Sequence, residues 1–491
     1  MNLCPLIDEA ILCNSSHQAS VALRWKTGEI TYDQLRGNAR RVAARLNEFD
    51  VGLGDRVGIA LPKSPEYIQT MLGTLAAGAA YVPLSSTFPL ERIVRILEHA
   101  EPRVTLTTSA ICESLGNANV GKVIAIEDWS DHGTSTTDSM DVDPQQLGAL
   151  YYTSGSTGEP KAVMRSRGNL VHFIRWVTER FSICENDRIA HVTPLNFALS
   201  QLDLFSGLAS GASLFLVDEI TSRFPAAVTG ILQEQKTTVL CCSPTALTLI
   251  CGQKALKGRD LSSLRLVLFG GESMPAATLR EMMERLPHVQ FVSLYGSTET
   301  DVCAYNRLTS FPDVQQTRIP IGVPCEHLDV SLSDDHGEMI VTGPTVLPGY
   351  WRRPDLTASC RMGNREDSFR TGDFARWEDD RLHFHGRRDN IVKIRGQRVE
   401  LAEVEAWLAE HPLVRQAVVV VKEAGDLQAT LVAFVTSDNQ TPSLEELDKH
   451  CRRRLPNYAI PSCYDLLTSF PTTSTGKVDR VALAKQAIGA R

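Results

Sequence analysis

A chain of 491 residues exceeds what a single hydrophobic core supports, so two or more domains are expected. Its 43% hydrophobic content and mixed charge mark a folded rather than a disordered chain. The formal net charge of −8, without a lysine or arginine block, offers no electrostatic footprint for nucleic acid, and no apolar run is long enough to cross a bilayer.

The first residues, MNLCPLIDEAILCN, lack a basic start followed by a long apolar core, so the expected compartment is cytoplasmic. The twelve cysteines are scattered without CxxC or Cys/His spacing, which reads as buried thiols rather than disulfides or a zinc site. Residues 32–49 carry apolar positions at helical spacing, 56–61 read as a short buried strand, and 65–78 as a helix opening on Pro65. This alternation predicts α/β layers with parallel strands. Residues 127–143 are acidic and rich in Ser and Thr, the composition of a loop.

The next stretch, YYTSGSTGEPKAV over 151–163, is the centre of the chain. Its glycines let backbone N–H groups turn towards an anion, its hydroxyls add neutral donors, and Lys161 adds one charge. The spacing departs from GxxxxGK[ST], which disfavours a P-loop NTPase. Taken alone, such a Ser/Thr/Gly run is more often a plain surface linker than a nucleotide site.

Further on, helices are expected at 169–181 and 202–210, and strands at 188–192, 213–217, 238–242, 264–269 and 290–294. The last three strands each end beside a candidate site residue, which points to one cleft beyond their carboxyl ends. From residue 387 the pattern changes to a smaller α+β unit, with strands at 391–394, 416–422 and 430–436 and helices at 401–410 and 444–454.

The order TSGSTGEPK, YGSTE, RTGD, GRRDNIVKIRG and PTTSTGKVDR resembles the adenylate-forming superfamily, which includes acyl-CoA synthetases, luciferases and the adenylation domains of nonribosomal peptide synthesis. The resemblance spans essentially the whole chain. It implies a large N-terminal domain of α/β subdomains plus a β-rich portion, residues 1–386, and a small mobile α+β C-terminal domain, residues 387–491.

Residue by residue, the resemblance implies that Thr153, Ser154, Gly155, Ser156, Thr157, Gly158 and Lys161 cover the ATP phosphates. Glu299 would bind Mg²⁺, with Gly296, Ser297 and Thr298 beside the phosphates. Tyr295 would stack on adenine, while Gly270, Gly271 and Glu272 line the nucleotide's other side. Asp373 would accept both ribose hydroxyls with Arg387 nearby, Asp389 would be the hinge, and Lys477 would bridge the acid's carboxylate and the α-phosphate. Plainer readings stand beside these: Thr298 and Glu299 as a helix-start capping pair, Asp373 as a turn residue, and Lys477 as a solvated charge.

The same alignment lines an acid pocket with Ala198, Leu199, Leu202, Cys241, Leu268, Gly270, Leu294, Val302 and Cys303, with Asn196 just upstream. This uncharged set suits a small hydrophobic acid. It looks like the pocket of stand-alone prolyl-adenylating enzymes, which implies transfer of L-proline to the phosphopantetheine thiol of a carrier protein, with coenzyme A as the competing acceptor.

Ala198 departs from that pattern, because amino-acid-activating relatives have an aspartate there that pairs with the substrate's amino group. Three readings follow: proline held by backbone carbonyls and water, an aryl or short acyl acid lacking an amino group, or an inactivating change. Asp203 reads as a surface or structural residue rather than a replacement. A non-catalytic acyl-adenylate-binding protein is the reading from a different class, and an intact Lys477 argues against it.

Overall fold

A computed structural model describes residues 19–116, 118–129, 142–153, 161–252, 255–272, 274–312, 319–333, 337–363, 365–387, 391–423, 429–437, 440–471 and 478–489. Two large sheets organise the first part of the chain. The six-stranded sheet runs Lys122–Ala125, Val104–Thr107, Arg56–Ala60, Ala80–Pro83, Leu147–Thr153, Lys161–Ser166. The nine-stranded sheet has the parallel strands Ser213–Leu216, Arg188–His191, Val239–Cys242, Leu266–Gly270 and Gln290–Ser297 at its centre.

Helices Tyr32–Asn47, Pro65–Ala76, Arg167–Phe181 and Ser200–Ala209 share one core with the facing sides of both sheets. Strand alternation sorts the residues: Val239 and Cys241 join this central core, whereas Leu240 and Cys242 face the helices on the sheet's outer side. Local chemistry fixes the helix starts. Thr31 with Gln34 and Ser166 with Asn169 form reciprocal capping boxes, and Ser64 caps the helix that opens on Pro65.

The expected α/β alternation holds, with two corrections. The sheets are not parallel throughout: Gly28–Thr31 runs antiparallel to Val21–Trp25, and beyond residue 145 Lys161–Ser166 and Asp301–Leu308 run antiparallel to Leu147–Thr153 and Gln290–Ser297. Residues 126–129 form a 3₁₀ turn, Ile126–Trp129, where a loop was expected.

A four-stranded antiparallel sheet follows, ending on Ser368–Glu378 and Arg381–Arg387. After it come the two-stranded hairpin Ile391–Ile394 and Gln397–Glu400, and a three-stranded sheet packed with Leu401–Ala409 and Leu444–Arg454 around a separate core. No helix among the described residues is long and apolar enough to cross a membrane.

Candidate active site

The turn between Gln290–Ser297 and Asp301–Leu308 presents Glu299 at the carboxyl end of the nine-stranded sheet. It contains no helix start, so the capping-pair reading of Thr298 and Glu299 does not apply. Close packing forces the turn's geometry. A Cβ on Gly296 would lie 1.8 Å from the Asp301 carbonyl oxygen, so only glycine fits. The fully buried Arg165 pairs with Asp301 and donates to the Thr345 carbonyl at 2.7 Å, and the Leu347 N–H donates to the Glu299 carbonyl at 2.7 Å.

The Glu299 side chain is 0% exposed. Its Oε1 accepts from the Tyr350 hydroxyl at 2.9 Å and from Arg398 Nη1 at 2.7 Å, and its Oε2 accepts no hydrogen bond among the described residues. Burial pushes its pKa up, but the Arg398 guanidinium and the Tyr350 hydroxyl outweigh burial and hold it at about 2.

Asp373 lies within the strand Ser368–Glu378, not in the turn that its neighbour Gly372 suggested. Its Oδ1 is 2.7 Å from Arg387 Nη1, and its Oδ2 accepts from the Tyr295 hydroxyl. The backbone is fixed from behind: the Gly372 N–H donates to Glu338 Oε1 at 3.2 Å and the Asp373 N–H to Thr371 Oγ1 at 3.0 Å. Burial and the adjacent Asp373 carboxylate push the Tyr295 hydroxyl well up.

Thr153 and Lys161 are directly opposite in an antiparallel pair, so the two flanks of the Gly/Ser/Thr stretch are clamped together. Ser154, Gly155, Ser156, Thr157 and Gly158 lie outside the described residues, as do Asp389 and Lys477. Lys161 Nζ is 3.6 Å from Glu400 Oε2. Glu272 accepts from the Thr245 hydroxyl at 2.5 Å through Oε2 and from the Gly396 N–H through Oε1.

The residues expected to line the acid pocket lie in or against the central core. Leu202, Cys241, Leu268, Leu294, Val302 and Cys303 are buried in one cluster, and Ala198, Leu199 and Tyr295 pack against it. Strand register explains this: Cys241 pairs with Leu268, Gly270 with Leu294, and Val302 with Gly296. A Cβ on Gly270 would come within 2.7 Å of the Leu294 carbonyl oxygen, so the position stays bare. Asn196 is half-buried upstream.

Asp203 is not a surface residue. It is buried, with Oδ2 3.0 Å from His191 Nδ1, and the Lys63 Nζ donates to the His191 carbonyl at 3.2 Å. Sequence reasoning also missed Lys393, Gly396, Arg398 and Glu400, all on one hairpin of the C-terminal part. The available signal was the string VKIRGQRVE, whose Arg395-Gly396 pair adopts φ of +52° and +78°, a tight hairpin turn.

The description "AMP-binding enzyme" matches residues 13–351, and "AMP-binding enzyme C-terminal domain" matches residues 403–477. The chain belongs to the AMP-binding enzyme family. By class it is an adenylate-forming ligase. It is 34% identical over 487 residues to an L-proline–[L-prolyl-carrier protein] ligase of Streptomyces coelicolor, covering 92% of this chain and 91% of that one. A ligase of the same description from Pseudomonas fluorescens is 32% identical over 480 residues, covering 94% and 95%. Among solved structures, the amide bond synthetase McbA from Marinactinospora thermotolerans superposes with a TM-score of 0.87 at 25% identity, covering 98% and 99%. The shared fold thus covers nearly the full length of both chains.

Proposed function

We propose that this AMP-binding enzyme adenylates L-proline with ATP and transfers the prolyl group to the phosphopantetheine thiol of a carrier protein. The observation that carries the reading is the adjacency of two environments on one pair of strands. Leu294, Val302 and Cys303 contribute to an apolar pocket, while Tyr295 and Glu299 belong to the charged site beside it. An apolar acid seated there lies next to the groups that hold the nucleotide.

In this reading Asp373, held in place by Arg387 and Tyr295, accepts the ribose hydroxyls, and Tyr295 also offers its ring to the adenine. Gly270, Gly271 and Glu272 border the base. Thr153 and Lys161, with residues 154–158 between them, close over the phosphates, beside Gly296, Ser297 and Thr298. Lys477, assigned from the motif TSTGKVDR, neutralises charge where carboxylate oxygen meets the α-phosphorus.

Glu299 fits a magnesium ligand, because its buried Oε2 accepts no hydrogen bond among the described residues. The described residues contain no group of three metal-ligating side chains, which suits a cation bound mainly through phosphate oxygens. Bound there, magnesium would offset charge on the departing pyrophosphate. The small domain begins at residue 387 and rotates about Asp389 between the two steps.

L-proline is favoured because the two carrier-protein ligases described above, which this chain matches along nearly their full length, are named for it. A second reading, an acid without an amino group, draws on Ala198: the carboxylate on the following helix, Asp203, is already paired with His191. The acceptor is tested by incubating the enzyme with ATP, Mg²⁺, L-proline, coenzyme A and a phosphopantetheinylated carrier protein, and weighing the carrier. A prolyl mass increment supports the reading. An unmodified carrier alongside formation of prolyl-CoA contradicts it.

A further inference from the structure

Residues 344–351 run as a strap between two sides of the proposed ATP site, and every main-chain carbonyl from Pro344 to Gly349 accepts a hydrogen bond. On one side lie the strand Lys161–Ser166 and the helix that follows it. Asn169 Nδ2 donates to the carbonyls of Pro344 at 2.6 Å and Val346 at 3.2 Å, and Arg165 Nη1 to that of Thr345 at 2.7 Å. The Met164 N–H donates to the Gly349 carbonyl at 3.0 Å and the Trp351 N–H to the Ala162 carbonyl at 2.9 Å, so the strap pairs with the strand that starts at Lys161. Arg361 Nη2 holds the carbonyls of Leu347 and Pro348 at 2.9 and 2.7 Å.

On the other side lies the Glu299 turn. The Leu347 N–H reaches the Glu299 carbonyl at 2.7 Å, and the Thr345 hydroxyl donates to the Thr300 carbonyl at 2.8 Å. Tyr350 joins the two sides. Its backbone bridges to Val163 and its N–H donates to Thr357 Oγ1 at 2.9 Å, while its buried side chain places the hydroxyl 2.9 Å from Glu299 Oε1. The hydroxyl is therefore aimed by a backbone that is itself held in place.

We propose that Tyr350 is a positioning residue for the metal carboxylate: its hydroxyl pins Glu299 Oε1 and dedicates Oε2 to magnesium, in fixed register with the Lys161 strand. The inference rests on the reading of Glu299 as the magnesium carboxylate and deepens it. A glutamate has two equivalent oxygens and a terminal bond with a broad torsional preference, so a cation meeting it unaided must first stop that rotation. A hydrogen bond to one oxygen does this beforehand and leaves the other as the ligand. Oε2 accepts no hydrogen bond among the described residues. Arg398 Nη1 also donates to Oε1, at 2.7 Å, but from the C-terminal part of the chain, whereas Tyr350 and Glu299 are tied together through the strap.

The test is calorimetry on the whole protein without the acid, with two ligands: ATP with Mg²⁺, and AMP, which lacks the polyphosphate. Tyr350→Phe deletes one oxygen and keeps the ring. It is expected to weaken binding of magnesium ATP roughly tenfold, the low end of what outer partners of a metal ligand contribute, while AMP binding stays as it was. Glu299→Gln should likewise weaken magnesium ATP and spare AMP. In a Glu299→Gln background Tyr350→Phe should add nothing, because it acts only through that carboxylate.

Unchanged magnesium ATP binding in Tyr350→Phe, beside a loss in Glu299→Gln, overturns the positioning role and leaves the metal assignment intact. Equal weakening of both ligands in Tyr350→Phe also overturns it, since that is the mark of a merely structural tyrosine. Unchanged magnesium ATP binding in Glu299→Gln overturns the assignment and the inference together. Should Tyr350→Phe fail to fold, Thr357→Val replaces it: this near-isosteric change takes the acceptor from the Tyr350 N–H, and the same selective loss is expected at smaller amplitude. No selective loss there overturns the inference.

Discussion

Asp203 and His191 form a fully buried pair, Oδ2 to Nδ1 at 3.0 Å, and His191 is the strand neighbour of Cys241, one of the residues proposed to line the acid pocket. Each partner comes from a different element, the helix Ser200–Ala209 and the strand Arg188–His191, so the contact ties the pocket's helix to its sheet. Asp203→Ala leaves His191 and the nearby Lys63 buried without their carboxylate and is expected to destabilise the protein by about 3 kcal/mol. The midpoint of thermal unfolding should fall, while the order of preference among acid substrates stays as it was. A changed preference would make Asp203 a substrate ligand instead.

Lys63 gives this cluster a pH signature. Burial lowers its pKa from the ordinary 10.5 to about 8, against the opposing pull of Asp203. The folded state therefore binds fewer protons than the unfolded state between these values, and stability from this group rises as pH climbs from 8 to 10.5. It is fully present above 10.5 and lost as pH falls through 8. Thermal melts across that window should show a rise in the unmodified protein and a flatter profile in Lys63→Met.

Asp373 is expected to govern ATP and not the acid. Asp373→Ala removes two hydrogen bonds to a charged acceptor, about 3 kcal/mol in total, which raises KM for ATP roughly 100-fold. KM for the acid should move less than threefold or so, since the apolar pocket is untouched. Parallel changes in both constants would contradict the ribose assignment.

Lys477→Ala separates catalyst from binder. If Lys477 acts on the charge developing at the α-phosphate, adenylation falls by about two to three orders of magnitude while calorimetric ATP binding persists. Loss of binding with the turnover ratio preserved would assign Lys477 to nucleotide affinity alone.

Much of this was legible in the sequence where the signal was local. The helix at Tyr32–Asn47 announces itself through its capping box and apolar period, and the strand ends at Cys242 and Gly270 follow from short apolar runs. Glu299, Asp373 and the neighbouring Arg387 stand out in the sequence through their motifs. The hairpin contacts do not: Arg398 is 99 residues from Glu299, and Gly396 is 124 from Glu272, so neither contact has a spacing that a single sequence displays.

Of the two readings of Asp203, surface or structural, the surface one fails for a different reason. The helix Ser200–Ala209 lies between two sheets and buries Ser200, Gln201, Asp203 and Ser206 along with its leucines, so polarity no longer marks the solvent side.

In the proposed reading, substrate choice turns on Ala198. Introducing a carboxylate by Ala198→Asp supplies a charged partner for an ammonium, and KM for L-proline should fall about tenfold while acids lacking an amino group become poorer substrates.

The central claim is tested most directly by pyrophosphate exchange into ATP across L-proline, D-proline, other small amino acids, pyrrole-2-carboxylate, benzoates and short fatty acids. The account predicts exchange with L-proline above every other acid in the unmodified protein. Exchange only with acids that have no amino group would contradict it and make the enzyme an aryl or acyl ligase.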